Sequence, residues 1–181
     1  MNEKIIRGIM VGRFQPFHKG HLSLAKQILE DCDELIIAIG SAQYNYIFQD
    51  PFTAGERMLM IHRALSEARI DLTKCYIVPI INDENNARWF AHLRSMVPHF
   101  DILFSGNKFV SSLVAENVKT KKPEFISKKY YNGTYIRKTI MANKDNWKKL
   151  VPNGVAKTIE EIGGVARIKM LSHSDSNPQR W

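Results

Sequence analysis

The sequence predicts an α/β domain with a doubly wound parallel sheet and a helical cap at its carboxyl end. Short apolar runs rich in β-branched residues alternate with longer stretches that repeat apolar residues at helical spacing, up to about residue 130. After Tyr131 the strand-like runs stop and helical patterns continue. A chain of 181 residues with 44% hydrophobic content can bury one sizeable core, so we expect one domain spanning residues 1–172.

Five segments are predicted as strands because each is short and apolar and is bounded by polar or turn-forming residues. They are residues 5–12, 34–40, 75–80 and 101–106, with a weaker fifth near residues 124–127. Three helices are predicted between them, at residues 20–31, 53–68 and 86–97. This order favours crossovers on both faces of a Rossmann-like sheet.

The second helix has the best defined start in the sequence. Thr53 and Glu56 have the spacing of a capping box, in which each side chain bonds the backbone N–H of the other residue. In the first helix, Leu22, Ala25 and Ile28 share one apolar face.

The region after Tyr131 is predicted to cap a core that spans about residues 5–130. Four helical pieces are expected in the cap, at residues 134–143, 145–151, 154–163 and 165–172. The tail of residues 173–181 is polar and unpatterned, and we expect it to be loosely ordered.

Composition limits the cellular compartment and the kinds of partner that are expected. Two cysteines, Cys32 and Cys75, are too few for a disulfide framework, and no stretch approaches the roughly 20 apolar residues of a membrane span. The amino terminus does not resemble a secretory signal, so a cytoplasmic protein with no membrane partner is expected. The net charge of +8 favours anionic partners, and much of it lies in residues 119–149. Most of those lysines are expected to form a solvated face.

The stretch "GRFQPFHKGH", residues 12–21, lies where the first strand meets the first helix. Ligands of open α/β sheets bind at this edge, and a helix amino terminus there favours a phosphate. His18 and His21 lie three residues apart, so both imidazoles can reach one anion, and Gly20 lets that anion approach the backbone.

Two other interpretations of the histidines compete with phosphate binding. A metal site is one, but the H-E-x-x-H spacing of zinc hydrolases is missing, and no metal ligand is predicted. A histidine pair that only caps the helix is the other. Two histidines around a glycine, preceded by Arg13 at a strand end, favour phosphate binding.

"HKGH" matches the H-x-G-H motif of the nucleotidyltransferase superfamily, and the sequence around it resembles the archaeal-type nicotinamide mononucleotide adenylyltransferases. Four further stretches share this resemblance in the family's order: "IGSAQ" at residues 39–43, "DPFTAGER" at 50–57, "SGN" at 105–107 and "GTYIR" at 133–137. The resemblance covers roughly residues 6–171.

The resemblance implies transfer of the adenylyl group of ATP to the 5′-phosphate of nicotinamide mononucleotide, which gives NAD and pyrophosphate with Mg2+ present. It implies that His18, His21, Arg13 and Arg137 are catalytic, with His21 nearest the α-phosphate. Thr134 is expected to cap a helix whose amino terminus faces the β- and γ-phosphates. An ordinary capped helix with a surface arginine is the alternative interpretation of "GTYIR". The remaining residues implied to bind ATP are Gly12, Phe14, Gln15, Gly20, Ser105, Gly106, Asn107, Gly133, Thr134 and Ile136.

For the mononucleotide, the resemblance implies that Trp89 stacks on the pyridinium ring and that Asn86 bonds the carboxamide. Trp89 on a helix could instead belong to the core, and Asn107 could cap a helix instead of binding a nucleotide. The complete implied set for this substrate is Ser41, Gln43, Phe52, Thr53, Asn86 and Trp89.

The chain departs from the family pattern at Gln49, where some relatives have a basic residue, at Asn82, where an acid is usual, and at Asn132, where serine is usual. Arg57 could contact the ligand or pair with Glu56 or Asp50, and a structural role is favoured. A homohexamer is implied by the resemblance. Transfer to another acceptor, such as phosphopantetheine or flavin mononucleotide, is the alternative activity. The basic segment beside Tyr130 and Tyr131 leaves a nucleic-acid binder as a second class of protein, but no specific nucleic-acid partner is expected.

Overall fold

Five parallel strands form the centre of the computed structural model, which describes residues 4–114, 118–124, 127, 129–142 and 144–173. Their order across the sheet is β3-β2-β1-β4-β5, so the chain runs outwards from β1 in both directions. This confirms the predicted doubly wound, Rossmann-like sheet. The strands are β1 Arg7–Gly12, β2 Glu34–Ile39, β3 Cys75–Pro79, β4 Ile102–Phe104 and β5 Lys119–Lys121.

The predicted helices between the strands are present, and their boundaries shift by a few residues. The capping box of α2 is confirmed: Thr53 Oγ1 accepts from the Glu56 N–H at 3.2 Å, and Glu56 Oε2 accepts from the Thr53 N–H at 2.9 Å. Residues 145–151, predicted as helical, form a 3₁₀ helix over Asp145–Leu150. Shorter 3₁₀ helices span Leu72–Lys74 and Asn86–Arg88. The α-helices are α1 Lys19–Asp31, α2 Ala54–Glu67, α3 Trp89–Met96, α4 Lys108–Ser112, α5 Gly133–Met141, α6 Asn153–Glu161 and α7 Gly164–Ser172.

The fifth strand lies earlier in the chain than predicted. It pairs with β4 through Leu103 and Thr120, whereas the prediction placed it near residues 124–127, of which 125 and 126 lie outside the described residues. The three residues of β5 are all exposed and polar. This edge strand is held by backbone hydrogen bonds to β4 on one side, and its side chains bury no apolar surface. Hydrophobic patterning therefore could not find this strand. Residues 174–181 of the predicted tail also lie outside the described part.

The sheet has an apolar cluster on each face, because neighbouring strand residues point in opposite directions. Met10 and Ile37 pack with α1, α2 and the carboxyl-terminal helices, while Ile9 and Ile36 pack with Leu93 of α3 on the other face. The larger cluster continues into the helices after Tyr131, and its members there include Trp147, Val155, Ile159 and Ile168. None of the described helices has the length and apolar character needed to cross a membrane.

Candidate active site

A cavity of about 400 Å³ lies at the carboxyl ends of the strands, between the turn from β1 to α1 and the start of α5. It brings together two sequence motifs that lie more than 100 residues apart. Its lining contains nine of the residues predicted from sequence, with Pro16, Tyr131 and Asn132 beside them; the nine are Arg13, Phe14, Gln15, His18, Gly20, His21, Gly133, Thr134 and Arg137.

A second cavity, of about 430 Å³, lies at the opposite edge of the sheet. Asp101 and Lys119 line it, and they stand at the amino ends of β4 and β5. Ligands of open α/β sheets bind at the carboxyl ends, so the cavity at the histidine motif is the candidate site.

His18 and His21 cap α1 through each other. The Nδ1 atom of His18 accepts from the His21 N–H, and Nδ1 of His21 accepts from the His18 N–H, both at 3.3 Å. The two rings stack with their centroids 3.5 Å apart. Because each Nδ1 is an acceptor, a neutral ring carries its proton on Nε2. The predicted capping role and the predicted phosphate role therefore use different nitrogens of the same rings.

Burial keeps both histidines neutral. It lowers the pKa of His18 to about 4, and it lowers the pKa of His21 well below the usual range, with the adjacent His18 adding to the effect. At neutral pH each ring thus offers one N–H donor and no positive charge. The positive charge of the cavity lining therefore comes from its arginines and not from its histidines.

Two glycines lie where the walls of the cavity are in close contact. A Cβ on Gly20 would lie 3.0 Å from the Tyr131 Cβ and 3.2 Å from the His18 ring. A Cβ on Gly133 would lie 2.7 Å from the carbonyl oxygen of Gln15. The two walls of the cavity therefore approach one another at glycines.

Arg137 is 4% exposed and lies in the wall formed by α5. Its Nη1 donates to the Gln15 carbonyl at 2.7 Å and its Nη2 donates to Thr134 Oγ1 at 3.4 Å. Its Nε is buried and has no hydrogen-bond partner among the described residues. Burial, with Arg13 nearby, lowers the Arg137 pKa to about 10, so the side chain is still charged at neutral pH.

Arg13 reaches the cavity from the opposite side with about half of its side chain exposed. One nitrogen, Nη1, lies 3.3 Å and 3.5 Å from the two carboxylate oxygens of Asp50. Asp50 is buried, with 3% exposure. The site therefore places two guanidinium groups and two neutral imidazoles around one cavity.

The amino terminus of α5 is capped by Asn132. Its Oδ1 accepts from the Tyr135 N–H at 2.7 Å, so the cap predicted at Thr134 is wrong. Thr134 lies inside the first turn, where its hydroxyl meets Arg137. Asparagine and serine are both good caps, so Asn132 can do at this position what serine does.

Several predicted nucleotide-binding residues have structural partners. The Gln15 side chain donates to the Phe52 carbonyl at 2.9 Å and accepts from the Phe52 N–H at 3.0 Å. Phe52 and Ile136 are fully buried in the core, so neither residue exposes surface to the cavity. Phe14 is also buried, with its ring edge against His21 at 4.8 Å between centroids.

The residues predicted for the mononucleotide lie along the neighbouring strand ends, outside the cavity lining. Asn82 Oδ1 accepts from the Ser41 N–H at 3.1 Å, and the Asn82 N–H donates to Gln43 Oε1 at 3.1 Å. Trp89 is half-buried and packs against the second core cluster, while Asn86 is exposed in the preceding 3₁₀ helix. Their contacts with a substrate stay predictions.

The "SGN" stretch forms a turn after β4. Ser105 Oγ accepts from the Asn107 N–H at 3.1 Å, and Asn107 Oδ1 accepts from the Phe109 N–H at 3.0 Å. Asn107 therefore caps α4, which was one of its two predicted roles.

Arg57 is structural, as expected, but its partners differ from those expected. It is fully buried and donates to backbone carbonyls of two connecting segments, the one after β1 and the one between β2 and α2, and Glu56 binds Arg167 instead. Burial lowers its pKa to about 10. No spacing in the sequence reveals acceptors of this kind, which are the carbonyl oxygens of Arg13, Gly40, Ser41, Ala42 and Thr53.

Fold and cavity together define a nucleotidyltransferase domain: a parallel sheet whose first strand leads through an H-x-G-H turn into a helix beside a cavity lined by histidine and arginine side chains. The cytidylyltransferase-like family model matches residues 9–139. A curated nicotinamide-nucleotide adenylyltransferase from Caldivirga maquilingensis is 42% identical and covers 98% of this chain and 100% of its own. One from Methanococcus maripaludis is 45% identical and covers 94% and 98%. The chain belongs to the cytidylyltransferase-like family and, within it, to the nicotinamide-nucleotide adenylyltransferases.

A solved structure from Francisella tularensis has the same fold. It is a bifunctional NMN adenylyltransferase/ADP ribose pyrophosphatase complexed with AMP and a manganese ion, and it is 23% identical with a TM-score of 0.75. The match covers 93% of this chain and 52% of that one, so the chain spans about half the length of this solved relative.

Proposed function

We propose that the protein transfers the adenylyl group of ATP to the 5′-phosphate of nicotinamide mononucleotide, forming NAD and pyrophosphate. The observation that carries the proposal is the convergence of Arg13, Arg137 and the two histidine Nε2–H groups on one cavity beside the start of α5. Relatives named for this activity, at more than 40% identity over nearly their full length, support it.

The reaction needs alignment and charge stabilisation more than a base. An oxygen of the mononucleotide phosphate, already negative, attacks the α-phosphorus in line, and the bond from that phosphorus to the oxygen of the β-phosphate breaks. Pyrophosphate leaves with that electron pair, and no proton has to be removed. His21 donates from Nε2 to the α-phosphate as charge develops, and Arg13 and Arg137 hold the β- and γ-phosphates.

Mg2+ enters this proposal as part of the substrate, held by the triphosphate of ATP. The donors that line the cavity are guanidinium groups, which repel a cation, and imidazole N–H groups, which have no lone pair with which to coordinate one. Asp50 is buried against Arg13, and the described residues include no group of three His, Cys, Asp or Glu side chains that could hold a metal ion. This donor set fits a metal ion held by phosphate oxygens.

The proposal includes a cytoplasmic setting and a homohexamer. Light scattering on the purified chain tests the assembly, and we expect a mass close to six times 20.8 kDa. A monomer or dimer at micromolar concentration would contradict the hexamer but would leave the proposed reaction unaffected.

The activity test uses the purified protein with ATP and Mg2+ and a panel of acceptors: nicotinamide mononucleotide, nicotinic acid mononucleotide, flavin mononucleotide and phosphopantetheine. We expect pyrophosphate release with the first, and NAD as the product. Release with only a flavin or pantetheine acceptor would replace the proposal by another transfer reaction of the same class. No release, while the Methanococcus maripaludis relative reacts in the same assay, would reject it.

His21 variants test the assigned roles within the site. His21→Asn keeps an acceptor near the Nδ1 position for the His18 N–H but loses the Nε2 donor, whereas His21→Gln does the reverse. We expect the asparagine variant to keep the stability of α1 and to lose turnover at least about a hundredfold, with little change in the Michaelis constant for nicotinamide mononucleotide. Equal turnover in the asparagine variant and the wild type would contradict the donor role.

A further inference from the structure

A short turn between β2 and α2 contacts both arginines of the cavity. Residues 47–50 close on themselves through two backbone hydrogen bonds, Asp50 N–H to Ile47 O at 3.0 Å and Ile47 N–H to Asp50 O at 3.4 Å. The turn presents Phe48, which packs against the larger core cluster, and the buried Asp50. Both side chains therefore start from a fixed backbone.

Phe48 contacts Arg137. The guanidinium carbon of Arg137 lies 5.6 Å from the centroid of the Phe48 ring, which is within cation–π range. The bond from Nη1 to Gln15 O fixes one end of the guanidinium plane, and the ring gives it a second support. No salt bridge between Arg137 and a carboxylate is found among the described residues, so the guanidinium is held by a carbonyl and an aromatic ring.

Asp50 contacts Arg13 in a way that leaves most of the guanidinium free. Its oxygens meet only Nη1, and no hydrogen bond from Nη2 or Nε of Arg13 is found among the described residues. An arginine side chain that is about half exposed has many rotamers available, so one buried carboxylate restricts its direction. The remaining N–H groups can still bind an anion.

We propose that the turn of residues 47–50 positions the two arginines for the triphosphate, with Phe48 setting the plane of Arg137 and Asp50 setting the direction of Arg13. This inference rests on the proposed function, in which both arginines contact the phosphates of ATP. Phe48 and Asp50 are positioning residues, because they act through the arginines and not on the substrate.

Phe48→Leu tests the first contact, since leucine keeps an apolar side chain against the core and removes the aromatic face. We expect the Michaelis constant for ATP to rise about two- to fivefold, with the constant for nicotinamide mononucleotide unchanged. Phe48→Tyr should restore the wild-type value, because it restores the ring. Identical constants in the leucine variant and the wild type would overturn the role of Phe48, as would equal rises for both substrates.

Asp50→Asn tests the second contact, with Asp50→Glu as the conservative partner. We expect kcat/KM for ATP to fall about five- to tenfold in the asparagine variant and to recover partly in the glutamate variant. Glu34→Gln is the matched control, because it removes the carboxylate that Arg7 binds at 2.6 Å at the far end of the sheet. If Asp50→Asn and Glu34→Gln have the same kcat/KM for ATP, the role of Asp50 is overturned.

Arg13→Gln and Arg137→Gln, which remove the positive charge, separate this inference from the proposed function. If neither changes the kinetics with ATP, the arginines do not hold the triphosphate and the proposed site fails. If both raise the Michaelis constant for ATP while the Phe48 and Asp50 variants behave like Glu34→Gln, the positioning role alone is overturned. Melting temperatures of all variants identify any that lose activity by unfolding.

Discussion

At the scale of single residues, the histidine pair joins folding to ligand binding. Each Nδ1 completes the backbone bonding at the start of α1, which leaves Nε2 as the donor that can meet a phosphate. An unsatisfied backbone N–H at a buried helix start costs about 1–3 kcal/mol, so the rings are held in place by the fold itself. Their orientation does not depend on a bound substrate.

The neutral state of these rings predicts how the stability of the protein depends on pH. Between pH 6.5 and about 4, the unfolded chain protonates His18 while the folded chain does not, because burial lowers the folded pKa to about 4. Stability should therefore fall as the pH falls through this window, by about 1.4 kcal/mol per pH unit for each ring that stays neutral.

Urea denaturation between pH 7 and pH 5 measures this dependence. His18→Asn should flatten the slope. A wild-type slope equal to that of His18→Asn would show that His18 is protonated in the folded protein.

At the scale of elements, the site depends on how closely α5 approaches the turn that follows β1. The approach is set at Gly133, where a Cβ would meet Gln15 O at 2.7 Å and Arg137 Nη1 at 3.0 Å. The oxygen is part of the backbone, so it cannot move aside as the end of a flexible side chain can. The wall of the cavity would have to shift.

Gly133→Ala should therefore cost about 1–3 kcal/mol of stability and raise the Michaelis constant for ATP, because it displaces Arg137. Gly55→Ala is the control within another helix, since its Cβ meets nothing within 4 Å. That variant should be neutral or about 0.5 kcal/mol more stable, with unchanged kinetics. Thermal unfolding and initial rates measure both, and equal behaviour of the two variants would contradict the close approach.

The cap of α5 gives a second prediction at this scale. Asn132→Ala removes the acceptor that lies 2.7 Å from the Tyr135 N–H and should cost about 1 kcal/mol, with weaker ATP binding as the helix start frays. Asn132→Ser should retain most of the stability, because a serine hydroxyl caps in the same way. An alanine variant as stable as the serine variant would show that the cap adds nothing.

At the scale of the whole molecule, the carboxyl-terminal helices pack into the same apolar core as the sheet. They are also joined to the start of α2 by a salt bridge. Arg167 of α7 donates to Glu56 at 2.7 Å and 2.9 Å and to the Pro51 carbonyl at 3.2 Å, and its guanidinium carbon lies 4.6 Å from the Tyr46 ring centroid. Glu56 is at the same time part of the capping box of α2. Arg167 thus ties the carboxyl-terminal helices to the start of α2, which is the helix start nearest the predicted mononucleotide site.

Arg167→Gln should destabilise the protein by about 2 kcal/mol, because it leaves the largely buried Glu56 without its charged partner. Glu161→Gln is the matched control. It breaks the exposed pair between Arg63 of α2 and Glu161 of α6, which should be worth less than about 1 kcal/mol. Chemical denaturation of both variants compares them, and equal losses would show that burial of the Arg167 pair is unimportant.

Much of the fold and the centre of the site could be predicted from sequence, because both depend on local patterns. Alternating strands and helices, the capping box at Thr53 and the spacing of His18 and His21 are all readable along the chain. Contacts between residues far apart in the sequence could not be predicted in this way. Phe48 gives no local signal, and Asp50, which was expected to pair with Arg57, binds Arg13. The partners of Arg57 are backbone carbonyls, which every residue has, so the sequence could not single them out. The cap at Asn132 was missed because Thr134 is an equally good capping residue two positions later.

The mutual capping of His18 and His21 also limits how this site can change over generations. Replacing one ring by a side chain with no acceptor at the Nδ1 position removes a ligand donor and also frees the backbone N–H of the other residue. We expect such single replacements and the double replacement to be almost equally damaging, with strong coupling between the two positions. A route of single substitutions of this kind to a different phosphate site would pass through inactive proteins, so we expect related chains to keep or lose the two histidines together.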